Sequence, residues 1–501
     1  MSLYFSGKII QRSNYSLIIV LAAPVLLNLL FTPYSNPVFC DTETYRYVSL
    51  VMMKGGVPYR DVFDHKPPLI YFVSYTGLFL GGWLQWLVDT LLAMLATFLF
   101  YRLCRKYRLP YPWLLPLLFN LMLRDFIIFV TAGLTREYTT ILLLIFFCVL
   151  MSEHRRRYYG LGILSGLIFF FQQEQVLALI PFFIYDLTRR REKDVPAGRR
   201  IMAIAAGGLT VAAPIILYFA FHHALAAFWR DAFGFNFGVY TTSIRESFGD
   251  HLKRAKRILD YGNYEVPFLV AVTLGISALL FRGSNKRLIG ACLAAVALSI
   301  TPEFMGGRGT MGDIRHYYLP LSASLCMLLF SVFAFTEEPF LRAKKVHAIF
   351  GVLVCTSLGY IALQHGTHLV PRSQREVPAS PALRYLRQHP PGDYQLYEFG
   401  DHAYIYAYNE FRILAPSRWV FHHLWTVYDN WDMDHAILRS IGQDLLRHRT
   451  SYIIDCIDDP AKHFHDPEAY VIWHSFLVEH YQQVALTDTS GVTLWKWKGL
   501  P

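Results

Sequence analysis

The chain has 501 residues, 54% of them hydrophobic and only 17% charged, with a net charge of +10 and a mean hydropathy of +0.30. A soluble globular chain carries about a quarter charged residues. These values therefore exclude a soluble multi-domain protein, and the positive charge reads as membrane topology rather than as a nucleic-acid surface. The seven cysteines form no Cys-x-x-Cys pair, which excludes a thiolate zinc site of the usual spacing and a disulfide framework.

A helix needs roughly 20 apolar residues to cross the hydrocarbon core of a bilayer. Apolar stretches predict about eleven transmembrane helices, near 16–34, 83–101, 112–130, 134–151, 160–173, 176–188, 201–221, 265–281, 288–302, 317–335 and 346–365. Basic runs fall on alternate loops: 102–108, 155–157, 188–193, 282–287 and 342–345. With those loops and the N-terminus inside, the positive-inside rule is obeyed throughout. The other side then holds 35–82, 222–264, 303–316 and everything from about 366. The first segment is too long for a cleaved signal peptide and lacks a small-residue cleavage site.

Within 35–82 lies the densest chemistry. Residues 40–47 read Cys-Asp-Thr-Glu-Thr-Tyr-Arg-Tyr, 55–61 read Gly-Gly-Val-Pro-Tyr-Arg-Asp, and 64–69 read Asp-His-Lys-Pro-Pro-Leu. Tyr45, Val48, Val51 and Met52 recur at helical spacing, and Gly55-Gly56 supplies a stop. The spacing predicts a short amphipathic helix lying along the membrane surface, with Asp41 and Glu43 at its start. Asp41 in that place could simply cap the helix, accepting backbone N–H bonds. Arg60, His65 and Lys66 follow shortly, however, and a carboxylate base beside a phosphate-binding cluster is what sugar transfer from a lipid phosphate requires.

The C-terminal stretch changes character. Residues 394–398, 452–455 and 492–497 alternate, and Ile437, Ile441 and Leu445 stand at spacing four. This predicts a small extracytoplasmic α/β domain over 366–501, after a transmembrane module over 1–365, with a linker at 368–381.

The motifs Asp-x-Glu-x-x-x-Tyr (41–47), Gly-Gly-x-Pro-Tyr-Arg-Asp (55–61) and His-Lys-Pro-Pro-Leu-Ile-Tyr (65–71) resemble the first outer loop of GT-C superfamily glycosyltransferases. The kin in view are bacterial proteins similar to protein O-mannosyltransferases (glycosyltransferase family 39) and the lipid A aminoarabinose transferase. Three later stretches are also similar: Thr135-Arg-Glu-Tyr138, Arg315-His-Tyr-Tyr-Leu-Pro-Leu321, and Leu396–Gly400 with Tyr404-Ile-Tyr406.

The resemblance implies a polytopic α-helical GT-C fold in a bacterial cytoplasmic (inner) membrane. It implies a polyprenyl-phosphate-sugar donor and inverting transfer to an envelope glycan, glycolipid or protein acceptor outside the cytoplasm. Asp41 would be the general base, with Glu43 second. Arg60, Lys66, Arg136 and Arg315 would hold the donor phosphate. Tyr59, His65, Glu137, Glu174, His316 and Tyr317 are candidate substrate contacts. Asp41 and Glu43 could also hold a divalent metal ion, the one cofactor the pattern leaves open. Plainer alternatives stand beside these roles. Arg136 could snorkel to the interface, with Glu137 neutralising it; Lys66 could be a solvated loop charge; His316 could be an interface aromatic.

A lipid-linked glycan transporter or flippase is the non-enzymatic rival, and such proteins favour inverted repeats and mid-membrane charge. Here ionisable residues collect in outer loops and at helix ends, Arg124 and Asp125 excepted. A polysaccharide polymerase or ligase would share both topology and donor. The alternation of basic loops makes one expectation immediate: a reporter fused after residue 501 should be active only outside the cytoplasm. Cytoplasmic activity there would overturn the topology.

Overall fold

The structure, a computed structural model, describes residues 3–34, 40–124, 131–154, 156–188, 195–240, 265–281, 283–299, 315–337, 380–400, 404–420, 431–457, 466–485 and 492–499, with Phe464 and a few residues between 247 and 256 and between 345 and 356. A helix stands at each expected span that is described. The last, 346–365, lies almost wholly outside the described residues, as do the division at 365/366 and nearly all of the expected linker.

In chain order the helices are α1 (Leu3–Asn28), α2 (Cys40–Met53), α3 (Leu69–Thr76), α4 (Trp83–Lys106), α5 (Leu114–Leu123), α6 (Thr135–Leu150), α7 (Arg157–Phe171), α8 (Ile180–Thr188) and α9 (Ala197–Phe221). After the short α10 (Leu225–Trp229) come α11 (Glu265–Leu280), α12 (Lys286–Ser299) and α13 (Leu319–Phe335). Among the described residues, the stretches 80–106, 197–221 and 316–335 are long and apolar enough to cross a membrane, and several shorter apolar helices accompany them. α13 is hydrophobic all round and buried at nearly every position, as a central helix should be. It packs on α5, α6, α11 and α12.

The break expected between the spans 160–173 and 176–188 is present, with the second helix starting at Ile180 rather than near 176. Gln172 is extended, with φ −161° and ψ 98°, and ends α7; Gln173–Leu179 then forms 3-10 turns before α8. The break turns Gln172 and Glu174 toward the start of α6.

Loops sorted by charge in the sequence are sorted to two ends in space. At one end Lys106 pairs with Glu153 at 2.9 Å, Arg157 and Arg200 both meet Asp186, and Arg287 donates to the Thr188 carbonyl. At the other end Arg60 donates to the His222 carbonyl, Asn236 donates to the His65 carbonyl, and Arg418 pairs with Asp231.

Beyond α13 come α14 (Pro381–Gln388), β1 (Leu396–Phe399), α15 (Tyr406–Phe411), α16 (Ala436–His448), β2 (Tyr452–Asp455), α17 (Pro467–His480), β3 (Tyr481–Gln483) and β4 (Thr493–Trp497). The strands form one sheet in the order β1-β2-β4-β3. β1 and β2 are parallel, with Leu396 opposite Tyr452, and β4 runs antiparallel to both of its neighbours. Strand alternation divides the two faces. Tyr397, Phe399 and Ile453 bury against α16 and α17, with Leu438, Ile441, Leu445 and Trp473. Leu396, Ile454 and Leu494 instead join the core that runs on into the helices. α2 is bound directly to this C-terminal part. The Tyr47 ring lies 4.8 Å from that of Tyr408, its hydroxyl accepts from the Ala415 N–H, and Asn409 donates to Glu43.

α7 and α9 approach most closely where Gly162 meets the Ile204 backbone and Gly207 meets the Tyr159 backbone; a Cβ on either glycine would collide with main chain. Small residues at such crossings let helices pack in lipid. Gly162→Ala should therefore cost at least about 2 kcal/mol, the scale of overpacking. Gly290→Ala, where the added Cβ meets open space, should cost nothing comparable. Thermal unfolding of both variants in detergent checks this, and equal midpoints would refute the crossing as a constraint.

Candidate active site

α2 lies at the end of the bundle opposite the basic loops and carries two different faces. Asp41 and Tyr45, four residues apart, share one face, while Thr42 and Arg46 share another. Tyr45 is buried, and its hydroxyl donates to Asp41 Oδ2 at 3.4 Å. Burial raises the Tyr45 phenol well above its ordinary value, and the charges of Asp41, Asp64 and Tyr317 raise it further while Arg136 opposes them. The Tyr45 ring lies 6.3 Å from that of Tyr71, edge to face.

The segment after α2 is held by tyrosines. Tyr59 and Tyr71 both donate to the Lys66 carbonyl, at 2.7 and 3.1 Å. Tyr59 adopts φ 67°, a left-handed conformation that costs roughly 1–2 kcal/mol in a non-glycine residue. Its ring is packed between Tyr71, Phe219 and Phe228. Lys66 Nζ lies 3.2 Å from His65 Nε2. His65 is buried against Phe235, and its backbone N–H donates to Asp64 Oδ1 at 2.6 Å.

Asp64 is buried to 2% exposure. Burial is the main reason its carboxyl rises from 3.8 to about 6; Lys66, the Tyr71 hydroxyl and the His65 N–H pull it down, and Asp41 pushes it up. The sequence pattern assigns this residue no role, although it opens the Asp-His-Lys-Pro-Pro motif. Tyr45 likewise reads in the sequence only as an apolar helix position; its place one turn after Asp41 is the signal that could have found it.

Arg136 opens α6 and its side chain is 3% exposed, so it does not reach for water in the way snorkelling requires. Its guanidinium lies on the Tyr317 ring, 3.1 Å from the centroid, a cation–π contact. It pairs with Glu174 at 3.3 Å, and Gln172 bonds the same carboxylate. Thr135 in turn donates to Gln172. His316 is buried beside Tyr317, and the Arg315 side chain lies outside the described residues.

Other candidates stand apart. Glu137 is fully buried, pairs with Arg124 and accepts from the Gly133 N–H at 2.8 Å; it is not the neutralising partner of Arg136. Arg60 is bound to Asp61 and the His222 carbonyl at the surface. Glu43 accepts from Arg46 and Asn409 and so serves the junction with α15, while Asp41 turns to Tyr45. The two carboxylates that could share a divalent ion thus engage different partners. Among the described residues no group of three or more His, Cys, Asp or Glu could hold a metal ion.

Comparison with known proteins adds the fold. The crystal structure of ArnT from Cupriavidus metallidurans bound to undecaprenyl phosphate matches with a TM-score of 0.59 at 13% identity, covering 95% of this chain and 97% of that one. The chain has the fold of ArnT. The apo-state ArnT structure matches equally, with a TM-score of 0.59 at 11% identity over 97% of this chain and 98% of that one. No family model and no curated protein sequence matches the chain. The resemblance to GT-C proteins of the aminoarabinose transferase kind, read from the outer loop, is thus a likeness of fold over nearly the whole length, and the architecture is that of a polytopic membrane protein.

The buried carboxyl at the centre of the site has a measurable consequence. A carboxyl whose value is raised on folding from 3.8 to about 6 binds a proton in the folded state across that window. Its contribution to stability is therefore complete below about pH 4 and is lost as pH rises through about 6. The rise corresponds to about 3 kcal/mol. Asp64→Asn should flatten this fall in thermal stability between about pH 4 and pH 7. An identical pH dependence in the variant would mean that Asp64 titrates as in water.

Proposed function

We propose that the chain is an inverting membrane glycosyltransferase. It moves a sugar from a polyprenyl-phosphate donor to a hydroxyl of an envelope glycan, glycolipid or protein, at the extracytoplasmic face of a bacterial inner membrane. The observation that carries the reading is a carboxylate joined to a lysine turn: Tyr45 donates to Asp41, its ring lies 6.3 Å from that of Tyr71, and Tyr71 donates to the Lys66 carbonyl, while the buried Arg136 guanidinium stands on Tyr317. The undecaprenyl phosphate bound by the ArnT structure of like fold supports a lipid-phosphate ligand.

The chemistry follows from the groups present. The acceptor oxygen attacks the anomeric carbon while Asp41 takes its proton, and the bond from that carbon to the phosphate oxygen breaks, leaving the electron pair on the phosphate. Arg136 and Lys66 stabilise the departing charge. Arg136 supplies a planar fork whose Cζ lies 3.1 Å from the Tyr317 ring centroid, and Lys66 supplies a point charge on a turn braced by Tyr59 and Tyr71. Glu174, partly exposed and 3.3 Å from Arg136, yields this guanidinium to the phosphate. In this reading residues 1–365 carry the chemistry, and 366–501 form the extracytoplasmic domain that braces α2 through Asn409 and Tyr408.

The test is release of free polyprenyl phosphate by purified protein from a lipid-phosphate-sugar donor, which a transporter or flippase would not produce. Asp41→Asn should lower turnover by at least about 10²-fold while leaving undecaprenyl phosphate binding intact. Arg136→Ala should weaken that binding, and Arg136→Lys should restore it only in part. Near-normal turnover in Asp41→Asn would return Asp41 to the role of helix cap.

A further inference from the structure

The turn that carries Lys66 is also gripped from outside its own loop, at two points. The Phe63 N–H donates to the Arg418 carbonyl at 2.8 Å, and the His65 carbonyl accepts from Asn236 at 2.7 Å. The first grip comes from the C-terminal part and the second from the segment 222–264. An ion pair ties those two parts together, since the Arg418 guanidinium meets Asp231. Asp231 and Asn236 stand in successive π turns, Arg230–Gly234 and Asn236–Tyr240. Phe63, Arg418, Asp231, Asn236 and His65 thus form a closed ring of contacts, and Lys66 is the next residue along the turn.

The contacts in this ring differ in kind. The Phe63 ring lies 5.1 Å from that of Trp419, 5.8 Å from Trp431 and 5.5 Å from Phe235. Such apolar contact supplies adhesion, which is non-directional. The ion pair adds direction. The Asp231 side chain is 3% exposed and that of Arg418 21%, and a guanidinium meets a carboxylate in few geometries. Arg418 Cζ also stands 4.4 Å from the Trp419 ring centroid, a cation–π contact that narrows its orientation further. Buried pairs add little net stability, and their best-attested use is to set register.

The geometry points to Arg418 as a positioning residue for the lipid phosphate. Its pair with Asp231 sets the Phe63–Lys66 turn, and through that turn the Lys66 ammonium. The assignment rests on the reading of Lys66 as a phosphate ligand. It gives the C-terminal part a role in donor binding that is separate from its contacts with α2.

The test uses the full chain in nanodiscs, with undecaprenyl phosphate as the probe. Arg418→Met removes the fork while Asp231 keeps Arg230, whose Nε donates to it at 2.7 Å, so no buried carboxylate is left alone. This variant should bind undecaprenyl phosphate about tenfold more weakly, equivalent to ~1.4 kcal/mol. Arg418→Lys should recover part of the loss. Lys66→Met should also weaken binding, and adding Arg418→Met to it should change nothing further, because a positioning residue acts only through the group it positions. Amide hydrogen exchange over 62–66 should quicken in Arg418→Met, with α13 unchanged. Arg387→Met, which breaks the exposed pair with Glu410, should leave binding as it was. Unchanged affinity in folded Arg418→Met, losses that simply add in the double variant, or equal weakening by Arg387→Met would each overturn the assignment. Should Arg418→Met not fold, Arg418→Lys carries the same comparison with a smaller loss in the same direction. Failure of the lipid-phosphate reading looks different: exchange quickens as stated, yet the unaltered protein binds no undecaprenyl phosphate.

Discussion

The Lys66 carbonyl fixes the geometry on which the candidate site depends. An amide oxygen has two lone pairs, and here hydroxyls from Tyr59 and Tyr71 donate to it. Both tyrosines are fully buried, so both hydroxyls need partners, and one carbonyl serves the two. Pro67 and Pro68 then remove two backbone donors and narrow φ directly after it. A stretch with no regular element beyond a bridge between Pro58 and Val62 is thereby held as firmly as a helix turn. Lys66, His65 and Asp64 inherit that rigidity. The strained Tyr59 backbone is the cost, offset by a ring packed on three aromatic neighbours.

Adjacent residues at the start of α6 show how burial sorts charges. Arg136 and Glu137 are successive, so their side chains leave the helix about 100° apart and meet different partners. Glu137 turns inward to Arg124, and both are nearly inaccessible to water. Removing one member of such a pair costs about 3–5 kcal/mol because the other remains charged and buried. Arg136 turns to Tyr317 and to Glu174, whose side chain is 21% exposed. Water that reaches Glu174 lowers the cost of separating it. Of the two pairs, Arg136 with Glu174 is therefore the cheaper to separate, and Arg124 with Glu137 the costlier.

What is legible in the sequence follows the same physics. Apolar length and basic-loop alternation depend only on transfer from water to hydrocarbon, and the described helices stand where those patterns place them. The amphipathic α2, its carboxylates and the Lys66 turn are readable because they are local in sequence. The partner of Arg136 is not. The gap between the spans 160–173 and 176–188 announces a break, but not that an extended Gln172 would bring Glu174 to Arg136. Asp64 escapes notice because an aspartate before a His-Lys pair reads as a loop charge until its burial is seen. The bond from Asn409 to Glu43 needs α15, which is distant in sequence and so not legible from the loop.

At 11–13% identity over nearly the whole length, this chain and the ArnT structures share a path far more than a set of side chains. Apolar positions tolerate that divergence, because hydrophobic residues of about the right volume exchange at small cost when the pattern is kept. Buried polar positions do not, since each orphaned group costs about 1–3 kcal/mol. Beside aromatic contacts such as Tyr47 with Tyr408 and Phe63 with Trp419, specific polar contacts join these segments: Asn409 on Glu43, the Ala415 N–H on the Tyr47 hydroxyl, Asn236 on the His65 carbonyl, and Asp231 on Arg418. All but the last end on the segment 35–82, and the last ties the segment 222–264 to the C-terminal part. The first loop is thus the hub at which the outer segments meet. A carboxylate carried on it is positioned by the whole outer end of the molecule rather than by its own helix.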